Sequence, residues 1–130
     1  KRHILVDILG CILVVFITAA SVQDRDAVRH VLHEAKYTLP KLRKVLGDGG
    51  YRGRVVGAAA RETGIAFEVV PRPPDARGFE VVPKRWVVER TFGWLNRERR
   101  LSKEYDRSPE STRAWIYVSS LARMARLLAA

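Results

Sequence analysis

The stretch from residue 3 to residue 18, HILVDILGCILVVFIT, decides the fold because it must be either a membrane helix or a pair of strands. Asp7 interrupts it, and a charge at the centre of a membrane helix costs about 3 kcal/mol. Gly10 leaves an apolar run only about half as long as the ~20 residues that a membrane span needs. Residues branched at the β-carbon are frequent in both halves and favour strands. The stretch therefore predicts a hairpin, with strands from His3 to Asp7 and from Cys11 to Thr18.

The rest of the chain predicts alternating helices and strands. The continuous apolarity of the second hairpin strand indicates burial on both faces, as in a sheet covered by helices. The next elements are a helix capped by Asp24 or Asp26, a strand at 42–46 and a helix at 54–63 that ends at Gly64. A strand at 65–70, a helix at 85–99 and a final helix from Ser108-Pro109 follow. This order predicts an α/β domain with a mixed sheet flanked by helices.

The composition indicates one basic, globular domain. The 130 residues suffice for one core but not for two, and 47% hydrophobic residues exclude wholesale disorder. The net charge of +10 favours a polyanionic partner, most commonly nucleic acid, over an inert basic surface. Cys11 is the one cysteine, so an internal disulfide is excluded. The chain starts at Lys1 rather than methionine, as a fragment or a processed product does.

A carboxylate lies at the end of the predicted strand 42–46, in the sequence Gly47-Asp48-Gly49-Gly50-Tyr51-Arg52-Gly53. The glycines allow the backbone to turn sharply and to approach a ligand closely. The alternative is an Asp-Gly hairpin turn, but the following residues are predicted to be helical and offer no second strand. Asp48 is therefore a candidate metal ligand.

A second carboxylate, Glu89, lies on a predicted helix that is rich in arginine. Arg85 lies one turn before it, and a pair at this spacing is equally compatible with an ordinary surface ion pair. The density of arginine favours a glutamate placed among phosphate-binding groups. Gly93, on the same face, leaves room for a nucleic-acid backbone. Asp48 and Glu89 together suggest a magnesium site built against a phosphate.

Three segments resemble parts of bacterial insertion-sequence transposases of the DDE type. They are Lys1-Arg2-His3-Ile4-Leu5-Val6-Asp7, Gly47-Asp48-Gly49-Gly50-Tyr51-Arg52-Gly53 and Arg85-Trp86-Val87-Val88-Glu89-Arg90-Thr91-Phe92. The similarity covers essentially the whole chain and includes residues 19–26 and 74–79. It implies an RNase H-like catalytic domain, with residues 1–130 as a single partial domain truncated at its N-terminus.

The resemblance assigns roles to individual residues. Asp48 matches the second catalytic carboxylate and Glu89 the third, and the family's carboxylates hold two Mg²⁺ ions for DNA strand cleavage and strand transfer. Asn96 stands where a basic residue is often expected, and Arg97 is the candidate for that role. The arginines expected to contact DNA are Arg52, Arg85, Arg90, Arg97, Arg99 and Arg100.

The resemblance also implies partners and a location. The expected partner is DNA, both the ends of the mobile element and the target. A homodimer is expected for the complete enzyme. The expected location is the bacterial cytoplasm, in association with the nucleoid and without a membrane.

One departure from the family limits the expected activity. The family's first catalytic aspartate lies on a strand upstream of the segment that begins at Lys1, and Asp7 is interpreted as structural. The chain alone is therefore expected to be inactive or very weak. Two alternatives remain open: a catalytically inactive DNA-binding remnant of a transposase, and a small membrane-associated protein anchored by residues 4–20.

Overall fold

A computed structural model describes residues 1–70 and 86–129, in which strands and helices follow in nearly the predicted order. The strands are β1 (Arg2–Val6), β2 (Ile12–Ile17), β3 (Lys44–Gly47) and β4 (Ala66–Val69). The helices are α1 (Asp24–Thr38), α2 (Arg54–Thr63), α3 (Trp86–Arg97) and α4 (Pro109–Leu128), and a 3₁₀ turn covers Gly49–Tyr51. Residues 74–79, which carry part of the family resemblance, and the predicted helix start at 85 lie outside the described residues.

Strands β1 and β2 form the predicted hairpin, so the start of the chain is not a helix. They pair antiparallel, with Arg2 opposite Ile17. Asp7 closes the turn, because its Oδ1 accepts hydrogen bonds from the backbone N–H groups of Leu9 (2.9 Å) and Cys11 (2.8 Å). Asp7 is thus structural, as predicted. In the described part of the chain, no helix has the length and apolarity that a membrane span requires.

Strand β2 is buried on both faces, as its continuous apolar sequence predicts. Val14 is 1% exposed and Val15 is 0% exposed, although successive side chains of a strand point to opposite faces. Each belongs to a different hydrophobic cluster. The first cluster, which we call the α1 core, contains Val14, Val28, Val31, Leu32, Ala35, Val45, Val56, Ala59 and Ile65. The second, the α4 core, contains Val15, Leu95, Leu101 and Ile116.

Strands β3 and β4 are a parallel pair joined through α2. Lys44 lies opposite Ala66, and Gly47 lies opposite Val69. Helix α2 ends at Gly64 as predicted: this glycine has φ +72°, and its N–H donates to a carbonyl of the last helical turn. The two strand pairs are separate sheets in the described residues, so the prediction of a single mixed sheet is wrong there. Apolar side chains of the α1 core, rather than a backbone ladder, connect the pairs.

The starts of the helices agree only in part with the predicted caps. Gln23, not an aspartate, is the N-cap residue of α1, and Asp24 and Asp26 lie in its first turn. Carboxylates in this position interact favourably with the helix dipole without capping a backbone N–H. Ser108 does cap α4, since its Oγ accepts the N–H of Ser111 (3.4 Å).

Helix α4 has an unusual orientation, with an apolar strip toward solvent. Ile116 is fully buried, but Val118, Leu121 and Leu128 are 53%, 62% and 88% exposed. Arg113, in contrast, pairs with Glu34 of α1 on the side of the helix that faces the protein. The apolar residues of α4 therefore do not share one buried face.

Candidate metal and nucleic-acid site

Asp48 directly follows β3 and is held by its own turn. Its Oδ1 accepts the backbone N–H of Gly50 (2.8 Å), and its carbonyl accepts the N–H of Tyr51 (3.1 Å). This arrangement is the side-chain turn typical of aspartate, and it fixes the carboxylate at the carboxyl end of a parallel strand. The side chain is half-buried. Local backbone chemistry is therefore sufficient to orient the first candidate ligand.

The glycine before Asp48 is required by packing rather than by its φ angle. A Cβ added at Gly47 would lie 2.5 Å from Phe67 Cζ and 3.2 Å from Tyr51 Cδ2. Tyr51 belongs to the surroundings of the carboxylate as well. Burial raises the pKa of the Tyr51 hydroxyl, and the negative charges of Asp24 and Asp48 raise it further. The turn thus presents Asp48 beside a neutral aromatic surface.

Glu89 lies in the first turn of α3, whereas Asp48 lies in the turn after β3. It is exposed to solvent. Helix α3 packs on the hairpin: the Thr91 hydroxyl donates to the carbonyls of Gly10 (3.2 Å) and Val87 (2.9 Å). Glu89 is therefore placed by contacts between segments far apart in the chain. In residues 1–70 and 86–129, no group of three histidine, cysteine, aspartate or glutamate side chains is placed to hold a metal ion.

The arginines predicted to contact DNA are in different environments. Arg52, Arg97 and Arg99 are exposed. Arg100 pairs with Asp106 (3.0 Å) and lies over the Trp115 ring, 4.9 Å from its centroid. Arg85 lies outside the described residues. The exposed members have the freedom to meet a phosphate, whereas Arg100 already has an anionic partner.

Arg90 is engaged with the fold itself. Its guanidinium lies over the rings of Trp86 (4.1 Å to the centroid) and Trp94 (4.6 Å), and Nη2 donates to the carbonyl of Leu9 (2.9 Å). Its Nε is buried without a hydrogen-bond partner among the described residues. Arg90 therefore attaches α3 to the hairpin turn, a position that its sequence context did not indicate.

A cleft of about 250 Å³ opens beside Arg90, between the hairpin turn, α3 and α4. Within residues 1–70 and 86–129, its basic lining residues are Arg97, Arg123 and Arg126, and its one acidic lining residue is Glu98. The Arg123 guanidinium covers the Trp94 ring, so this ring contacts two arginines. Burial lowers the pKa of Arg123, and the positive charge of Arg90 adds to that effect.

Sequence reasoning did not identify Arg123 and Arg126. The sequence predicted the start of the final helix but no function for its arginines. One signal was available: arginines three residues apart lie on one face of a helix. The position of that face beside α3 depends on tertiary packing.

Comparisons with known proteins give a consistent result. Residues 1–125 match a family model described as a transposase DDE domain. The chain is similar to a putative transposase for insertion sequence element IS402 of Burkholderia cepacia, with 32% identity over 114 residues. That alignment covers 82% of this chain and 54% of the relative, so the chain spans about half the length of the relative. No solved structure matches.

Proposed function

Because this chain belongs to the family of transposase DDE domains, we propose that it takes part in DNA transposition. Asp48 and Glu89 are its proposed catalytic carboxylates, in a metal site that cleaves DNA and transfers strands. The observation that carries the proposal is the setting of Asp48. Strand β3 delivers this carboxylate to a glycine turn, where the Gly50 N–H orients it.

The proposed fold is RNase H-like and comprises residues 1–130 as one partial domain. Its support is the sequence of an antiparallel hairpin followed by a parallel pair with a helical crossover. Asp48 lies at the carboxyl end of a parallel strand, which is where α/β proteins commonly bind their ligands. Helix α3 packs on the hairpin and brings Glu89 to the surface of the same domain.

Magnesium is the proposed cofactor. Its preferred ligands are carboxylate oxygens and water, and the two side chains fit this chemistry because both reach solvent. A pair of such ions supplies an activated oxygen nucleophile and a stabilised leaving oxygen. Two carboxylates leave a pair of ions under-coordinated, so we propose that the chain by itself cleaves DNA weakly or not at all.

The proposed partner is DNA, as the ends of a mobile element and as the target, with a homodimer as the complete enzyme. The net charge of +10 supports a polyanionic partner. Arg52, Arg97 and Arg99 are the exposed arginines with which the chain would position phosphates. Phosphate contacts of this kind set orientation without reading sequence.

The test is metal-dependent nicking of supercoiled plasmid DNA together with Mn²⁺ binding followed by electron paramagnetic resonance. We expect Asp48→Asn and Glu89→Gln each to weaken Mn²⁺ binding by at least about tenfold, since even indirect supports of a metal site contribute that much. Any metal-dependent nicking should fall in parallel. The matched control is Asp26→Asn, which removes an exposed carboxylate on α1 and should leave both measurements unchanged.

The outcomes separate the competing functions. Nicking that survives both substitutions would overturn the assignment of the carboxylates. DNA binding that weakens steeply with salt, without Mn²⁺ binding that depends on Asp48 and Glu89, would favour an inactive DNA-binding remnant. Association with membranes in place of DNA would contradict the proposal altogether.

A further inference from the structure

We propose that the cleft between the hairpin turn, α3 and α4 binds a phosphate group of the DNA backbone. The inference rests on the proposed function for the identity of its ligand, but its geometry is independent of the two carboxylates. It adds Arg123 and Arg126 of α4 to the residues that hold DNA. We call this region the arginine cleft, lined by Gly10, Ile12, Thr91, Trp94, Leu95, Arg97, Glu98, Ser119, Ser120, Arg123 and Arg126.

The charges of the arginine cleft are incompletely balanced. Arg97, Arg123 and Arg126 line it against the single carboxylate of Glu98. Among the described residues, neither Arg90 nor Arg123 forms an ion pair with a carboxylate. Both guanidinium groups nevertheless contact the Trp94 ring. Cations held this close repel each other, and an anion in the cleft would offset that repulsion.

The hydrogen-bonding groups of the cleft suit a phosphate. Guanidinium groups donate in a fork that matches phosphate oxygens, and these charge-assisted bonds are among the stronger ones in proteins. Ser119 and Ser120 bring hydroxyl groups to the same lining. The volume of about 250 Å³ falls below the ~300–1,000 Å³ that is usual for drug-sized ligands. The cleft is therefore large enough for one phosphate group.

The cleft is separate from Glu89. Trp94 follows Glu89 by five residues on α3, which is roughly 140° around the helix axis, so the two side chains leave different faces of the helix. A phosphate bound in the cleft would thus be a DNA contact distinct from the proposed metal site. Gly10 makes the close packing of the hairpin turn on α3 possible, because an added Cβ would meet Trp94 at 3.0 Å.

The test uses the full chain and two readouts. The first is the affinity for a short DNA duplex as a function of salt. Arg123→Ala and Arg126→Ala should each reduce affinity about tenfold and lower the salt slope by about one, as expected for the loss of one phosphate contact. The control Arg25→Ala removes an exposed arginine from α1 and should change affinity less than about twofold.

The second readout is the fluorescence of Trp94 in a Trp86→Phe/Trp115→Phe background. Both the duplex and inorganic phosphate should change its emission, and Arg126→Ala should weaken that response. Arg126 is exposed, so this variant keeps the test valid if Arg123→Ala fails to fold. Circular dichroism checks the fold of each variant.

Failure of the two proposals can be distinguished. If Arg123→Ala and Arg126→Ala bind the duplex with the same affinity and salt slope as Arg25→Ala, phosphate binding in the cleft is contradicted. The nicking data for Asp48 and Glu89 are unaffected by that result. Absence of duplex binding would contradict the proposed function. The change of Trp94 emission with inorganic phosphate would then be the test of whether the cleft binds phosphate. Trp94 emission that changes with neither the duplex nor inorganic phosphate would contradict phosphate binding in the cleft.

Discussion

The surroundings of Asp48 and of Glu89 are built in different ways. Around Asp48, one orienting contact is local: the carboxylate accepts the Gly50 N–H two residues away, and likewise α2 ends on its own glycine, Gly64. Around Glu89, the contacts join distant segments. Arg90 reaches the carbonyl of Leu9, 81 residues earlier, and Thr91 reaches that of Gly10.

The same contrast extends to the ends of the molecule. Arg2 Nη1 donates to the carbonyl of Leu101 (2.6 Å), and Val15 N–H donates to the hydroxyl of Tyr117 (3.1 Å). These bonds attach the first hairpin to the last third of the chain. The Asp48 carboxylate thus has a hydrogen bond within its own turn, whereas the helix that carries Glu89 is positioned by contacts with the hairpin.

The largest expected effects come from removing one side chain from each core. Leu32 in the α1 core and Ile116 in the α4 core are both 0% exposed, so Leu32→Ala and Ile116→Ala should each lower the free energy of unfolding by about 2–5 kcal/mol. Because β2 contributes to both cores, we expect one cooperative transition in urea. The three tryptophans lie on α3 and α4, so their fluorescence reports the α4 core while circular dichroism reports both. Transitions that do not coincide would show that the two regions unfold independently.

The second test uses glycines from the two regions. Gly10 has φ +86°, and an added Cβ would lie 2.8 Å from Thr91 Oγ1, so Gly10→Ala combines strain with a clash. We expect Gly10→Ala to lower the free energy of unfolding by roughly 2–3 kcal/mol. Gly64→Ala should lower it by about 1 kcal/mol, because the Cβ added there meets open space. Gly93 on α3 has open space as well, and Gly93→Ala should stabilise by about 0.5–1 kcal/mol. Equal costs at Gly10 and Gly64 would contradict the close packing of hairpin and α3.

A single hydroxyl tests the long-range contacts next. Tyr117→Phe removes the acceptor of the Val15 N–H and should lower the free energy of unfolding by about 1–2 kcal/mol. Val15 is fully buried, so water cannot readily replace the lost partner. Urea denaturation measures the change. A neutral result would mean that this bond does not help to join the hairpin to α4.

The smallest expected effect is a pH dependence from His3. Burial lowers the pKa of this side chain below 6.5, although the charge of Asp24 opposes the shift. The unfolded chain then binds the proton more readily, so stability should fall as the pH drops through 6.5 toward the lower folded value. His3 Nε2 lies 2.8 Å from Thr18 Oγ1, and His3→Gln keeps a polar partner for that hydroxyl. This substitution should flatten the dependence of stability on pH. Identical slopes between pH 5 and 8 in both proteins would exclude His3 as the source.

Much of the architecture could be predicted because its causes are local. The hairpin follows from Asp7 and Gly10, which interrupt an apolar run, and the limits of α2 at residues 54–63 were predicted without error. The separation of the strands into two sheets could not be predicted, since apolar patterning determines faces and not hydrogen-bonded neighbours. The expected cap of α1 failed for a related reason: an acidic residue is favourable both as a cap and within the first turn.

The candidate site divides along the same line. The sequence by itself determined where Asp48 stands, because a strand, a carboxylate and flanking glycines together define one tight turn. It also determined the excess of positive charge and the family to which the chain belongs. The tertiary structure alone decided what each arginine does: Arg90 holds the hairpin, Arg100 meets Asp106, and Arg123 faces a cleft. The physical reason is that a guanidinium group lies at the end of a long side chain, and the neighbours it meets come from remote parts of the sequence.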